Sequence, residues 1–264
     1  MAAPRLDLIG FFRLAASLGI TEIEIRNDLE GRPIRDGTSP AAVGAAAAAA
    51  AVTILSINAL QRFDDWTAER EREAVELTRD AAASGARGLV LVPTNDGSGG
   101  SSSTTGRLGE ALRALAPILG DHGVVGLLEP LGFTTSSLRS KREAVAAIEQ
   151  VGGAQNFALV HDTFHHALAG EPELYPHRTA LIHISGVSDR SVPLAALRDS
   201  HRGLIGRGDR LESVGQIAAL LAAGYTGPLS FEPFAAEVHA LADPASAIRA
   251  SMDHLRSRLV TSAI

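Results

Sequence analysis

Cysteine is absent from the 264 residues, and aromatic side chains make up only 4% of them, with one Trp and two Tyr. Without thiols there is no disulfide scaffold, no zinc site built on sulfur and no cysteine nucleophile or redox pair. Basic charge is also short. Lys and Arg number 24 against 30 Asp and Glu, a formal net charge of −6, which argues against a nucleic-acid backbone as the main partner. No uncharged apolar run approaches the ~20 residues of a membrane span. The apolar Leu8-Ile9-Gly10-Phe11-Phe12 is bracketed too closely by Asp7 and Arg13 to be the core of a signal peptide. Disorder does not fit a hydrophobic content of 45%. The expectation is a soluble, cytoplasmic protein with no membrane or nucleic-acid partner.

What is present is a repeating alternation. Short β-like runs recur at 22–25, 52–57, 88–92, 124–128, 157–160, 180–184 and 228–231. Most are almost continuously apolar, as strands of a parallel sheet buried on both faces are. Helical spacing fills the intervals. Leu8–Leu18 ends at Gly19, Thr67–Ala83 ends at Gly85, and the stretches 107–119, 140–150 and 211–223 follow the same style. Thr67 is placed to cap its helix, with Glu69 and Glu71 in the first turn. The Ala45–Ala51 run reads as an alanine-rich helix leading into a strand. Asn95–Ser103 reads as a loop at the end of a strand. Strand–helix–strand alternation means βαβ units and a parallel sheet. At 264 residues the length suits one (β/α)8 TIM barrel, and we expect a single domain over residues 1–264. Seven strands are visible where a closed barrel needs eight.

The ionisable residues cluster at the ends of these runs. Glu129, His161-Asp162 and Glu232 each follow an apolar strand, His183 lies near the end of another, and Asn58 and Arg26-Asn27-Asp28 close two more. In α/β barrels function collects at the C-terminal ends of strands. Glu129, Asp162, His183 and Glu232 stand on four different strands. Together they are a mostly hard donor set, suited to one divalent cation such as Mn²⁺, Co²⁺, Mg²⁺ or Zn²⁺. Within His161-Asp162-Thr163-Phe164-His165-His166, Asp162 and His165 reaching one cavity is more economical than a helical zinc pair, and His166 reads as structural. Arg202-Gly203-Leu204-Ile205-Gly206-Arg207-Gly208-Asp209 reads as a substrate-covering loop with Arg202 as a donor, since the Rossmann glycine spacing is missing. Trp66 beside Phe63 could wall a sugar face. No nucleophile elbow and no P-loop occur.

In the order and spacing of these stretches the sequence resembles the xylose isomerase-like TIM barrels. Within them it is similar to the branch of inosose isomerases, hydroxypyruvate isomerases and ketose epimerases. The matching residues are Ile23-Glu24-Ile25-Arg26-Asn27-Asp28, Leu128-Glu129-Pro130, His161-Asp162-Thr163-Phe164-His165, Ile182-His183-Ile184-Ser185, Gly206-Arg207-Gly208-Asp209 and Phe231-Glu232-Pro233. Endonuclease IV-like repair enzymes share the fold but carry a larger, His-rich multi-metal set that this chain lacks.

The resemblance implies that Glu129, Asp162, His183 and Glu232 bind one divalent metal. It also implies that Glu129 and Glu232, on opposite sides of a substrate carbon, move a proton next to a carbonyl through an ene-diolate. Two bases on opposite faces would invert a centre, and one base shuttling between carbons would isomerise. His165 matches a substrate-binding histidine, Arg190 or Arg202 a substrate-binding arginine, and Asn58 is a further substrate-binding candidate. The implied substrate is a small polyol or sugar, and a homo-oligomer is compatible with it. A keto-inositol dehydratase on the same scaffold and a degenerate, non-catalytic sugar-binding barrel are the alternatives.

Family members start with a strand just before the position of Pro4-Arg5-Leu6. The first barrel strand is therefore expected to be lacking or atypical, with Met1 internal to a longer chain or misassigned as the start. A gap with two free edges would then separate 22–25 from 229–231.

Overall fold

The computed structural model describes residues 2–28, 34, 36–97 and 104–261. All seven expected strands form: β1 Glu22–Arg26, β2 Thr53–Gln61, β3 Gly88–Val92, β4 Val125–Leu128, β5 Phe157–Asp162, β6 Thr179–Ile184 and β7 Leu229–Phe231. They make one parallel sheet in chain order, β1 to β7, curled into a nearly closed TIM barrel. Helix α1 Leu8–Ser17 precedes β1, and α2 Pro40–Ala49, α3 Ala68–Ser84, α4 Thr104–Gly120, α5 Lys141–Gln150, α6 Thr163–Ala169 and α7 Ser213–Ala222 fall between strands. The short α8 Ala236–His239 and the long α9 Pro244–Thr261 follow β7. Of the expected loop at Asn95–Ser103, only residues 95–97 lie within the described residues. Among the described residues no helix is long and apolar enough to cross a membrane.

Local chemistry sets the helix ends. The Thr67 hydroxyl accepts from the Arg70 amide at 3.1 Å, and Gly85 closes α3 with φ +77°, a conformation that costs a glycine little. Ser140 and Glu143 form a reciprocal capping box at the start of α5. Asp162 ends β5 and also caps α6, its Oδ1 accepting from the amides of Phe164 at 2.7 Å and His165 at 2.9 Å.

The twofold alternation of a strand sorts side chains between two layers. Leu89, Leu91, Leu128, Leu159, Ile182 and Ile184 face outward into the helix–strand core. Val90, Leu127, Val160 and Leu181 form a separate apolar cluster inside the barrel. Each such buried aliphatic chain contributes roughly 1.5–3 kcal/mol. Two residues further along β4, β5 and β6, on the same inward parity, come Glu129, Asp162 and His183. The barrel interior therefore has an apolar floor with an ionisable layer above it.

Among the described residues no ladder joins β7 to β1. A groove of roughly 280 Å³ runs along this seam, walled by Phe11 and Leu14 of α1 and by Met252 and Leu255 of α9. Side chains cross it in place of backbone bonds: Arg26 Nη1 donates to Glu232 Oε1 at 2.9 Å, and Glu24 is hydrogen-bonded by Ser230. Arg249 on α9 ties the flanking helices together by donating to the Ser17 carbonyl at 3.1 Å.

Behind β5, on the side away from the barrel axis, lies a buried polar network. Lys141 Nζ stands 2.6 Å from His166 Nδ1, 3.2 Å from His161 Nδ1 and 3.6 Å from Glu171 Oε2. His161 Nε2 meets Gln216 Oε1 at 3.0 Å, and Gln216 Nε2 donates to the Thr163 carbonyl at 3.1 Å. The network braces the β5–α6 junction that carries Asp162 and His165.

Two predictions follow from this packing. Burial pushes Lys141 down to about 8, whereas an unfolded lysine titrates near about 10.4. Between those values the unfolded chain binds more protons, so this group makes stability rise with pH across that window. Urea unfolding at pH 7 and at pH 10 should show Lys141→Met lacking about 3 kcal/mol of the wild-type rise; equal pH dependence in both proteins would contradict it. A Cβ at Gly132 would lie 2.2 Å from the His165 carbonyl oxygen and 2.7 Å from the Ala169 amide. Gly132→Ala should therefore displace α6 and cost roughly 1–3 kcal/mol in the same assay.

Candidate active site

Glu129 just beyond β4, Asp162 at the end of β5, His183 on β6 and Glu232 just beyond β7 converge. Each offers a ligand atom, and all four atoms lie within 4.8 Å of one another. All four residues are buried, His183 completely. His183 Nδ1 is 2.9 Å from Glu129 Oε1 and 3.3 Å from Glu232 Oε2. The ring's other nitrogen, Nε2, is 3.1 Å from Glu24 Oε1.

Arginines brace the carboxylates. Arg202, only 1% exposed, donates from Nη2 to Asp162 Oδ2 at 2.5 Å and to Glu232 Oε2 at 2.9 Å. Its Nε donates to Ser185 Oγ at 3.1 Å, and its guanidinium lies over the Phe234 and Phe164 rings at 4.8 and 5.1 Å. Glu232 Oε1 accepts from Arg26 Nη1 and Asn58 Nδ2, each at 2.9 Å. Four partners thus fix the Glu232 carboxylate in place, Arg26, Asn58, Arg202 and His183, and the ion-pair chemistry is strong where water is excluded.

The electrostatics follow from this crowding. Burial, together with the charges of Glu232 and Asp162, pushes Glu129 up to about 7. Burial would raise Glu232 as well, but His183, Arg202 and Arg26 outweigh it and hold that carboxyl well below its usual range. Burial opposes a charged His183, yet Glu232, Glu24 and Glu129 raise it well above the ordinary histidine value. His165 is lowered, chiefly by burial. Two glutamates driven in opposite directions are what an acid–base pair requires. Three buried carboxylates and one buried imidazole are also a donor set that fits a divalent cation, whose charge would offset the carboxylates' mutual repulsion.

A cavity of roughly 380 Å³ opens above the cluster, bordered by Arg26, Asn58, Glu129, His165, Arg202 and Glu232, with Phe133 and Phe234 as its aromatic wall. His165 Nδ1 is buried with no hydrogen-bond partner among the described residues. Of the substrate-binding candidates, Asn58, His165 and Arg202 are brought to this cavity. Arg190 is not: it borders a separate depression with Arg207 and Glu212. The Phe63–Trp66 wall expected from sequence does not form either. Phe63 is wholly buried in the helix–strand core and Trp66 packs against that core. His166 pairs with Lys141, away from the cavity.

Glu24 and Arg26 enter the sequence reading only within longer stretches, with no role of their own, and Phe133 and Phe234 do not enter it. A signal existed for the first two. Glu22-Ile23-Glu24-Ile25-Arg26 alternates strictly, and in a barrel the polar parity of a strand can face the interior instead of water.

Comparison with known proteins agrees with this arrangement. A family model described as xylose isomerase-like TIM barrel matches residues 12–258. A crystal structure of a xylose isomerase domain-containing protein from Salmonella typhimurium LT2 superposes with a TM-score of 0.89 at 32% identity, covering 98% of this chain and 94% of that one. The structure of IolI protein with a bound zinc atom superposes with a TM-score of 0.84 at 20% identity, covering 97% and 94%, a likeness of fold. An L-ribulose 3-epimerase from Mesorhizobium japonicum is 30% identical over 175 residues, 63% of this chain. That match spans about half of the relative's length, 53%. With a model match running through nearly the whole barrel and its strand ends, this chain belongs to the xylose isomerase-like TIM barrel family.

Proposed function

We propose that this chain is a divalent-metal-dependent isomerase or epimerase of a small polyhydroxy ketone, working by proton abstraction next to a carbonyl. The observation that carries the reading is the convergence of Glu129, Asp162, His183 and Glu232 beneath a small cavity that many polar side chains border. The kinship with an L-ribulose 3-epimerase and the zinc bound by IolI protein support it.

In this reading Glu129, Asp162, His183 and Glu232 would hold the ion. When bound, a divalent cation supplies Lewis-acid polarisation of the substrate carbonyl and stabilises the developing ene-diolate charge. The remaining work falls to the chain. Arg26, Asn58 and Arg202 hold the Glu232 carboxylate ionised and aimed, so it suits removal of the carbon-bound proton. Glu129, across the cluster, suits return of a proton. His165 and Arg202 offer hydrogen bonds to substrate hydroxyls, and Phe133 and Phe234 exclude water beside them. The cytoplasm and a single-domain organisation are part of the same proposal.

Variant exchange measurements test it. With the ion-loaded protein in deuterated water, keto-inositols, hydroxypyruvate and ketohexoses are followed by NMR. Glu232→Gln should lower deuterium entry at the carbon next to the carbonyl by roughly 10²–10⁴-fold, with the ion retained or bound more weakly. Exchange at the wild-type rate in that variant would place the base elsewhere.

A further inference from the structure

We infer that Glu24 is a positioning residue for the metal centre, holding the His183 ring so that Nδ1 is presented to Glu129 and Glu232. The inference rests on the proposed reading of the cluster as a metal site. An imidazole that ligates through one nitrogen carries its proton on the other, and the partner of that second nitrogen sets both tautomer and ring angle.

The geometry supplies that partner. His183 Nε2 lies 3.1 Å from Glu24 Oε1 and 3.2 Å from Oε2, on the side of the ring opposite Nδ1. Nδ1 lies 2.9 Å from Glu129 and 3.3 Å from Glu232. Glu24 itself stands outside the four-residue cluster. It is also held in place, because Ser56 Oγ donates to its Oε2 at 2.5 Å and Ser230 hydrogen-bonds it from β7. Ser56 on β2, Glu24 on β1 and Ser230 on β7 therefore form a chain that reaches across the open seam and ends on the β6 histidine. With Glu129 and Glu232 on Nδ1 and Glu24 on Nε2, the ring can turn little, so the direction in which Nδ1 faces is set before any ligand arrives.

The chain has a second consequence. β1 and β7 share no ladder among the described residues, so Glu24 is one of the side chains that fix β1 relative to β6 and β7. A purely structural role would lower stability without changing ion affinity, and this gives the two readings different readouts.

Calorimetric titration with Mn²⁺ alone is made on the wild type, Glu24→Ala and Glu24→Gln, each checked for folding by circular dichroism and melting. The zinc-loaded proteins, ¹⁵N-labelled at histidine, report the His183 tautomer by NMR. Glu24→Ala should weaken Mn²⁺ binding by about 10–100-fold and lose the hydrogen-bonded Nε2 proton. Glu24→Gln, whose amide oxygen still accepts, should lose less, and it carries the test if the alanine variant does not fold. Melting lowered with Mn²⁺ affinity and the Nε2 proton unchanged would overturn the inference. A wild type that takes up no Mn²⁺ would overturn the metal reading itself and the inference with it, and that outcome is visible before any variant is compared.

Discussion

Three carboxylates buried around one imidazole are the constraint on which the rest of this molecule turns. Two unit charges about 4 Å apart interact by roughly 4 kcal/mol at the effective dielectric near a protein surface, and by more in a drier interior. Glu129, Asp162 and Glu232 repel one another, and the barrel keeps them together only by surrounding them with counter-charge. Arg202 spans Asp162 and Glu232, Arg26 and Asn58 hold the far oxygen of Glu232, and His183 lies between Glu129 and Glu232. Such an arrangement is costly for stability and is kept where it serves chemistry.

The scaffold turns this cost into geometry through strand parity. Valine and leucine fill the lower interior, so the charged layer rests on a dry, close-packed floor and has no room to spread downward. The outward residues of the same strands lock each strand to its helix. Asp162 adds a second link, because one of its oxygens caps α6 while the other meets Arg202. The backbone turn that places His165 and the carboxylate that would hold an ion are one structure. The seam between β7 and β1 departs from this rule. There Glu24, Arg26, Ser230 and Glu232 join the two strands through side chains, and the site's own polar groups do the work of a hydrogen-bond ladder.

Much of this was legible in the residues. Strands β2 to β6 announced themselves as apolar runs because both their faces are largely buried, and Glu129, Asp162, His183 and Glu232 could be found because each lies at or near the end of a strand run. Thr67 and Gly85 marked the ends of α3 by their own chemistry. Other features had no comparable signal. The helix α6 starts on Asp162, inside a stretch whose dense histidines drew attention to ligation and away from helix capping. The helix α9 carries Ile248, Met252, Leu255 and Leu259 at helical spacing, but its charged remainder diluted the pattern. Glu24 and Arg26 lay on an alternating strand whose polar face turns inward, the reverse of the usual solvent-facing case. Phe133 and Phe234 reach the cavity from loops, and loop placement is set by tertiary packing, as the burial of Phe63 away from the cavity also shows.

The central claim is that the four converging side chains are one metal centre. Anomalous diffraction from crystals equilibrated with Mn²⁺ or Zn²⁺, collected at the absorption edge of the ion, tests it most directly. The account predicts a single strong peak within bonding distance of Glu129, Asp162, His183 and Glu232, with His183 ligating through Nδ1. An ion ordered elsewhere on the chain, with Arg202 and His183 still closing the cluster by themselves, would contradict it.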